Sequence, residues 1–378
     1  QLPQITESRA VNATATPTSS LIGRALSAIQ SKEIAIAKPE LDARYRKARD
    51  IYDRITNSSY ERRFNSEDMP TRGKQFDVFE DNPLQPYHDL LQQLANAFIV
   101  FQELADQGYG RAYFPLARMY EGGQGISQDI EKSNYYSRLA FRYCFEYQTL
   151  NEPEIWRDLG SMYANGKGVE QNDELALFWY GEAAAQGNAK AQFSLGWSYA
   201  NGLGVEQDYK LAEYWYRQAA ELGNVGAQNN LGVMYQGGHG VEQDDEIAVY
   251  WYGEAAQQGH VIAQNNLGLI YGSGIGVDKD DEQATFWYRK TAEQGYPLAQ
   301  YNLGLSYENG RGLEKDYERA VFWYRNAAAQ GNAKAQFSLG WSYANGLGVE
   351  QDYKLAETWF FKAAEQGISM AQNNLGWI

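Results

Sequence analysis

Residues 191–223 read AQFSLGWSYANGLGVEQDYKLAEYWYRQAAELG, and this stretch decides the fold. Its Leu195-Gly196 pair belongs to a series: Leu159, Leu195, Leu231, Leu267, Leu303, Leu339 and Leu375 stand 36 residues apart, each followed by glycine. Trp179-Tyr180, Trp215-Tyr216, Trp251-Tyr252, Trp287-Tyr288, Trp323-Tyr324 and Trp359-Phe360 keep the same register. A fixed period of roughly 20 to 50 residues marks a solenoid, in which each unit buries its apolar face against the next.

Within the unit, Ala191, Leu195, Gly196 and Tyr199 share one helical face, and Asn201-Gly202-Leu203-Gly204 stops that helix, because glycine supplies the positive φ of a helix end and tight loop. Asp208 sits where an N-cap belongs, and the register repeats it as Asp244, Asp280, Asp316 and Asp352, with Asn172 in that place once; either side chain can accept orphan amide protons. A second helix follows through Leu211, Ala212, Trp215, Tyr216, Ala219 and Ala220, and Leu222-Gly223 ends it. The small residues permit close backbone approach, while Tyr199 and Trp215 fill gaps between units. The expected class is all-α, built of stacked antiparallel helix hairpins.

These residues resemble the Sel1-like repeat family, relatives of the tetratricopeptide repeats. Residues 191–223 follow its pattern of Leu-Gly, Tyr, Gly-x-Gly-Val, Asp and Trp-Tyr almost throughout, and the resemblance covers roughly residues 107 to 378. It implies a right-handed α-solenoid, a superhelix serving as a non-enzymatic scaffold for protein partners that differ from member to member.

Working outward, residues 109–378 form the array. Leu116-Ala117-x-x-Tyr120 opens a unit, but the step to Leu159 is 43 residues, so an insertion near 142–153 lengthens a helix or bulges out. Residues 183–213 recur without a change as residues 327–357. The last repeat is incomplete, and the expectation is that another segment or molecule covers it, self-association included. Residues 39–108 read as a helical region containing a divergent first repeat: one helix through Leu41, Tyr45, Ala48, Tyr52 and Ile55, an irregular connection from Asn65 to Pro86, and a helix from about Tyr87 to Gln107. Residues 1–38, rich in Ser, Thr and Ala, read as a disordered or linker-like arm.

The chain carries 33 basic and 48 acidic residues, net −15. An acidic array has no footprint for phosphate backbones, so nucleic acid is disfavoured. No apolar run is long enough to span a membrane. With Cys144 as the single cysteine, no disulfide can form within the chain. No signal peptide is visible, and periplasmic, secreted and cytoplasmic locations all stay open.

The family resemblance implies that the first helix of each unit lines the concave face, where a partner protein or extended peptide would lie. One residue before the leucine stand Asn230, Asn266 and Asn302; in peptide-gripping tetratricopeptide relatives an asparagine there bonds the ligand backbone, using both donor and acceptor. Bonding between neighbouring units is the equally weighted alternative. Two residues after the leucine stand Trp197, Val233, Leu269, Leu305, Trp341 and Trp377, and Phe193, Tyr301 and Phe337 add aromatic character. Such a groove suits apolar peptide side chains, or stacking on sugars as a glycan-binding module, or plain packing within the array. Second-helix positions such as Lys210 and Arg217 are expected to stand outside it. An accessory role within a longer chain is a further alternative.

No catalytic constellation stands out, and neither cofactor nor metal is expected. His88, His239 and His260 lack the spacing of a metal pair. Asp244-Asp245 and Asp280-Asp281 read as helix caps rather than acid–base pairs. Cys144 reads as a buried small apolar residue rather than a nucleophile.

Overall fold

The computed structural model describes residues 39–57 and 85–376. Its helices are α1 (Pro39–Asn57), α2 (Gln85–Asp106), α3 (Tyr113–Gly122), α4 (Ile130–Glu146), α5 (Pro153–Asn165), α6 (Asp173–Ala185), α7 (Ala189–Asn201), α8 (Tyr209–Glu221) and α9 (Val225–Gly237). There follow α10 (Asp245–Gln257), α11 (Val261–Ser273), α12 (Asp281–Glu293), α13 (Pro297–Asn309), α14 (Tyr317–Ala329), α15 (Ala333–Asn345), α16 (Tyr353–Glu365) and α17 (Ser369–Leu375). From α3 onward, odd-numbered helices are the first of each hairpin and even-numbered ones the second. Consecutive hairpins stack into a right-handed α-solenoid with no strand among the described residues. The arm over residues 1–38, the connection over residues 65–84 and Trp377 lie outside the described residues.

Two glycines per unit explain why this sequence locks into hairpins. A Cβ on Gly196 would lie 2.5 Å from the Tyr216 ring, and one on Gly340 would lie 2.8 Å from Phe360, so only glycine lets the second helix seat its aromatic against the first. Gly204, with φ +69°, brings its loop so close to the start of the preceding α6 that a Cβ would strike the Asp173 carbonyl. The first contact closes a hairpin; the second joins it to its neighbour.

Caps set the helix lengths. Asn172, Asp208, Asp244, Asp280, Asp316 and Asp352 each accept a backbone amide at the start of a second helix. Asn188, Asn224, His260 and Asn332 do the same for first helices. The helix α4, at 17 residues against 13 for its regular counterparts, absorbs part of the insertion. A 3-10 turn over Gln148–Leu150 and the left-handed Asn151 absorb more.

A buried amide ladder, which sequence reasoning missed, closes each hairpin and ties it to the one before. The Gln264 side chain donates to the Ala256 carbonyl at 3.0 Å and accepts from Gln294 Nε2 at 2.6 Å. Gln228 with Gln258, Gln300 with Gln330 and Gln336 with Gln366 repeat the amide pair at 2.7, 2.9 and 2.8 Å. Such bonds matter because a buried amide left unpaired costs about 1 to 3 kcal/mol.

Candidate partner-binding face

The helix α1 does more than cover α2. Its Tyr52 meets Phe101 of α2 edge-on, but it also lies under the Arg118 guanidinium of α3, 6.0 Å from the ring centroid. Arg49 donates to Asp53 at 3.0 Å and to the Tyr45 hydroxyl at 3.2 Å, and the Asp53 carboxylate meets Lys190 Nζ of α7 at 2.7 Å. Tyr45 shares a small cavity with Asp158 of α5. Side chains of one helix therefore reach the first helices of successive hairpins.

The charges of this junction are held by burial and by one another. Burial opposes the Arg49 charge, yet Tyr45, Asp53 and Asp158 outweigh it and hold the guanidinium well above its ordinary pKa. Burial pulls Lys190 down to about 8 despite the Asp53 carboxylate beside it. Burial would raise Asp53, but Arg49 and Lys190 keep it below the usual carboxylate value. Arg157 and Asp158 were the signal in the sequence: they occupy places that Asn or uncharged residues take in the later units.

From α7 onward the first helices carry an uncovered apolar row. Trp197, Val233, Leu269 and Trp341, each two residues after its leucine, are 49, 45, 45 and 44% exposed, while Leu305 is half-buried. Their neighbours Leu195, Leu231, Leu267 and Leu339 are buried. The apolar row is thus a strip of surface rather than core.

The asparagine row has partners inside the array. Asn230 stands against the Tyr216 phenol and Asn266 against the Tyr252 phenol, each in the preceding hairpin, while the Tyr252 hydroxyl donates to Gln236 Oε1 at 3.0 Å. Burial still pushes both phenols up to about 12. Asn302 differs, since its Nδ2 is buried with no hydrogen-bond partner. Phe193 and Tyr301 are half-buried and tilt against Tyr216 and Tyr324, with ring centroids 5.7 and 6.0 Å apart; Phe337 stands likewise against Phe360.

Arg217 stands on the second-helix face, where its guanidinium bonds Glu213 and the Tyr235 hydroxyl of the next hairpin. Lys210 is exposed as expected. Neither Asp244 nor Asp280 stands free for acid–base work, since both cap helices. Among the described residues no cluster of His, Cys, Asp and Glu has the arrangement of a metal site. Cys144 is buried, which pushes its thiol well above the ordinary range.

Comparison with known proteins agrees with this architecture. Residues 110–142, 157–188, 189–224, 225–260, 261–296, 297–332 and 333–368 match the Sel1 repeat. The chain is similar to c5321, described as a protective antigen present in uropathogenic Escherichia coli strains displaying an SLR fold, at 38% identity and TM-score 0.60. That match covers 75% of this chain and 59% of the antigen, so the chain spans about three-fifths of its length. A Sel1 repeat protein from Oxalobacter formigenes is 35% identical, with TM-score 0.53, over 61% of this chain and 93% of that one. No curated protein matches. Among the described residues no helix is long and apolar enough to cross a membrane.

Proposed function

The chain belongs to the Sel1 repeat family, and from that premise we propose that it is a non-catalytic scaffold which holds a segment of a partner protein along its first helices. The observation that carries this reading is α1, whose Tyr52, Tyr45 and Asp53 reach the first helices α3, α5 and α7. The first helices from α7 onward carry the uncovered strip of Trp197, Val233, Leu269, Leu305 and Trp341. A partner segment there would replace water over half-exposed apolar side chains, a gain of roughly 25 cal/mol per Å². Asn302, whose buried Nδ2 has no hydrogen-bond partner, would turn outward together with Asn230 and Asn266 to meet a partner's backbone.

Capture of the partner from the native host by affinity and mass spectrometry, then isothermal titration, tests this. A charge placed in the middle of the strip, Leu269→Asp, is expected to cost about 2 kcal/mol or more, at least about 30-fold in affinity. Asn230→Ala combined with Asn266→Ala weakens binding less, and Lys210→Ala leaves it unchanged. Circular dichroism checks that all three stay folded. Full affinity in a folded Leu269→Asp protein would overturn the assignment.

A further inference from the structure

Three second helices repeat a contact that α6 and α10 replace with glycine. In α8, α12 and α14 an arginine follows the Trp-Tyr pair and reaches the tyrosine of the next first helix. Arg217 bonds Tyr235, Arg289 Nη2 lies 3.4 Å from the Tyr307 hydroxyl, and Arg325 Nη2 lies 2.8 Å from that of Tyr343. The guanidinium carbons of Arg217 and Arg325 also stand 5.9 and 5.7 Å from the centroids of those rings. In α6 and α10 the arginine is replaced by Gly181 and Gly253, and the register sets Tyr199 and Tyr271 opposite them, both partly exposed.

Nothing in the fold asks for these glycines. A Cβ on either would meet no atom within 4 Å, unlike Gly196, which a tyrosine ring fills. Glycine inside a helix costs about 0.5 to 1 kcal/mol relative to alanine. Sites that break a local rule without a packing reason are where function is found.

Charge points the same way. Residues 170–258, which contain both glycines, hold 13 acidic against three basic residues, net −10, whereas residues 259–368 hold 13 against 10, net −3. Neither α6 nor α10 contains Lys or Arg, and Glu182 and Glu254 directly follow the glycines. One turn before each glycine, on the same helical face, an exposed aromatic, Phe178 or Tyr250, stands edge-on to its tryptophan.

We infer that the second-helix face of α6, α8 and α10 docks a basic segment of a partner protein. Two of its arginines take, in trans, the places at Tyr199 and Tyr271 that the array's own arginines take at Tyr235, Tyr307 and Tyr343. Apolar side chains between them rest on Phe178, Tyr214 and Tyr250. Arginine is selected over lysine because its planar guanidinium stacks on a ring and donates in several directions at once, while an ammonium is a hydrated point charge. This face is separate from the first-helix strip, so either assignment stands if the other fails.

The test uses the full chain and a fluorescein-labelled helical peptide carrying arginine and leucine on one face, with a lysine counterpart of the same pattern. In fluorescence anisotropy the arginine peptide is expected to bind about tenfold more tightly than the lysine one. Gly181→Arg with Gly253→Arg fills both places from within and brings the arginine peptide down to the lysine level. Tyr199→Phe with Tyr271→Phe removes only the two hydroxyls and lowers the preference about threefold, which decides the matter should the arginine double variant fold poorly. Leu269→Asp leaves the preference intact. Equal binding of the two peptides, or an arginine preference untouched by both double variants, would overturn the inference.

Discussion

Residues 183–213 and 327–357 are letter for letter the same, yet they are not the same place. What each does within itself is shared. Asn188 and Asn332 cap Ala191 and Ala335 at 3.0 and 2.9 Å, and Asn201 and Asn345 each donate to a tryptophan carbonyl at 2.8 Å. What each does to its neighbours differs. Lys190 is half-buried against Asp53 of α1, whereas Lys334 is exposed. Gln336 accepts from Gln366, but the residue in that place for Gln192 is Leu222, so the Gln192 Oε1 is buried with no partner. Because a solenoid unit touches only what stacks on it, identical units acquire their identity from adjacent ones.

The strongest test of what the two copies share is their second loop glycine. Gly204 and Gly348 have φ of +69° and +67°, and both press on a carbonyl of the preceding second helix. Gly204→Ala and Gly348→Ala are each expected to lose about 2 to 4 kcal/mol, from overpacking together with left-handed strain. Denaturant titration of the two variants should give matching losses; a large disparity would break the claim that this contact is built into the unit.

The amide ladder tests what they do not share. Gln366→Leu recreates around Gln336 the situation of Gln192 and should cost about 1 to 3 kcal/mol. The reciprocal Leu222→Gln, at an exposed position, should gain about 1 kcal/mol by supplying the missing donor. Thermal and denaturant midpoints read both signs. A loss on Leu222→Gln would show that the orphaned Gln192 oxygen is already satisfied by solvent.

The smallest expected effect separates the two lysines by pH. Folded Lys190 titrates at about 8, below its ordinary 10.5. Between those values the unfolded chain holds the extra proton, so stability rises with pH across that window. From pH 7 to 8.5 this group should contribute a gain on the order of 1 kcal/mol, in a window where tyrosines, ordinarily near 10, are still protonated. Lys190→Met should flatten that rise, and Lys334→Met should leave it. An unchanged slope in Lys190→Met would place Lys190 in water and detach α1 from α7.

Much of this molecule was legible before any coordinate. The Leu-Gly and Trp-Tyr periods, the Asp caps and the loop glycines all act within one 36-residue unit, so their spacing along the chain is their geometry in space. The exposed strip of Trp197, Val233 and Leu269 was readable for the same reason, since helical period alone puts those residues on one outward line. The role of the asparagines was not, because a side-chain amide suits a ligand backbone and a neighbouring phenol equally well. The Arg217 contact was not legible either, because its partner Tyr235 belongs to the next hairpin.

By itself, then, the sequence determined the repeat, its two helices, their ends and the surface row, all consequences of local backbone chemistry and periodicity. Only the tertiary structure decided that α1 reaches the first helices, that Gln264 bonds the Ala256 carbonyl of the preceding hairpin while pairing with Gln294 of its own, and that Asn230 and Asn266 stand against Tyr216 and Tyr252. The physical reason is burial: a polar group withdrawn from water takes whichever partner stacking brings within reach, and which partner that is depends on neighbours the repeat pattern does not name.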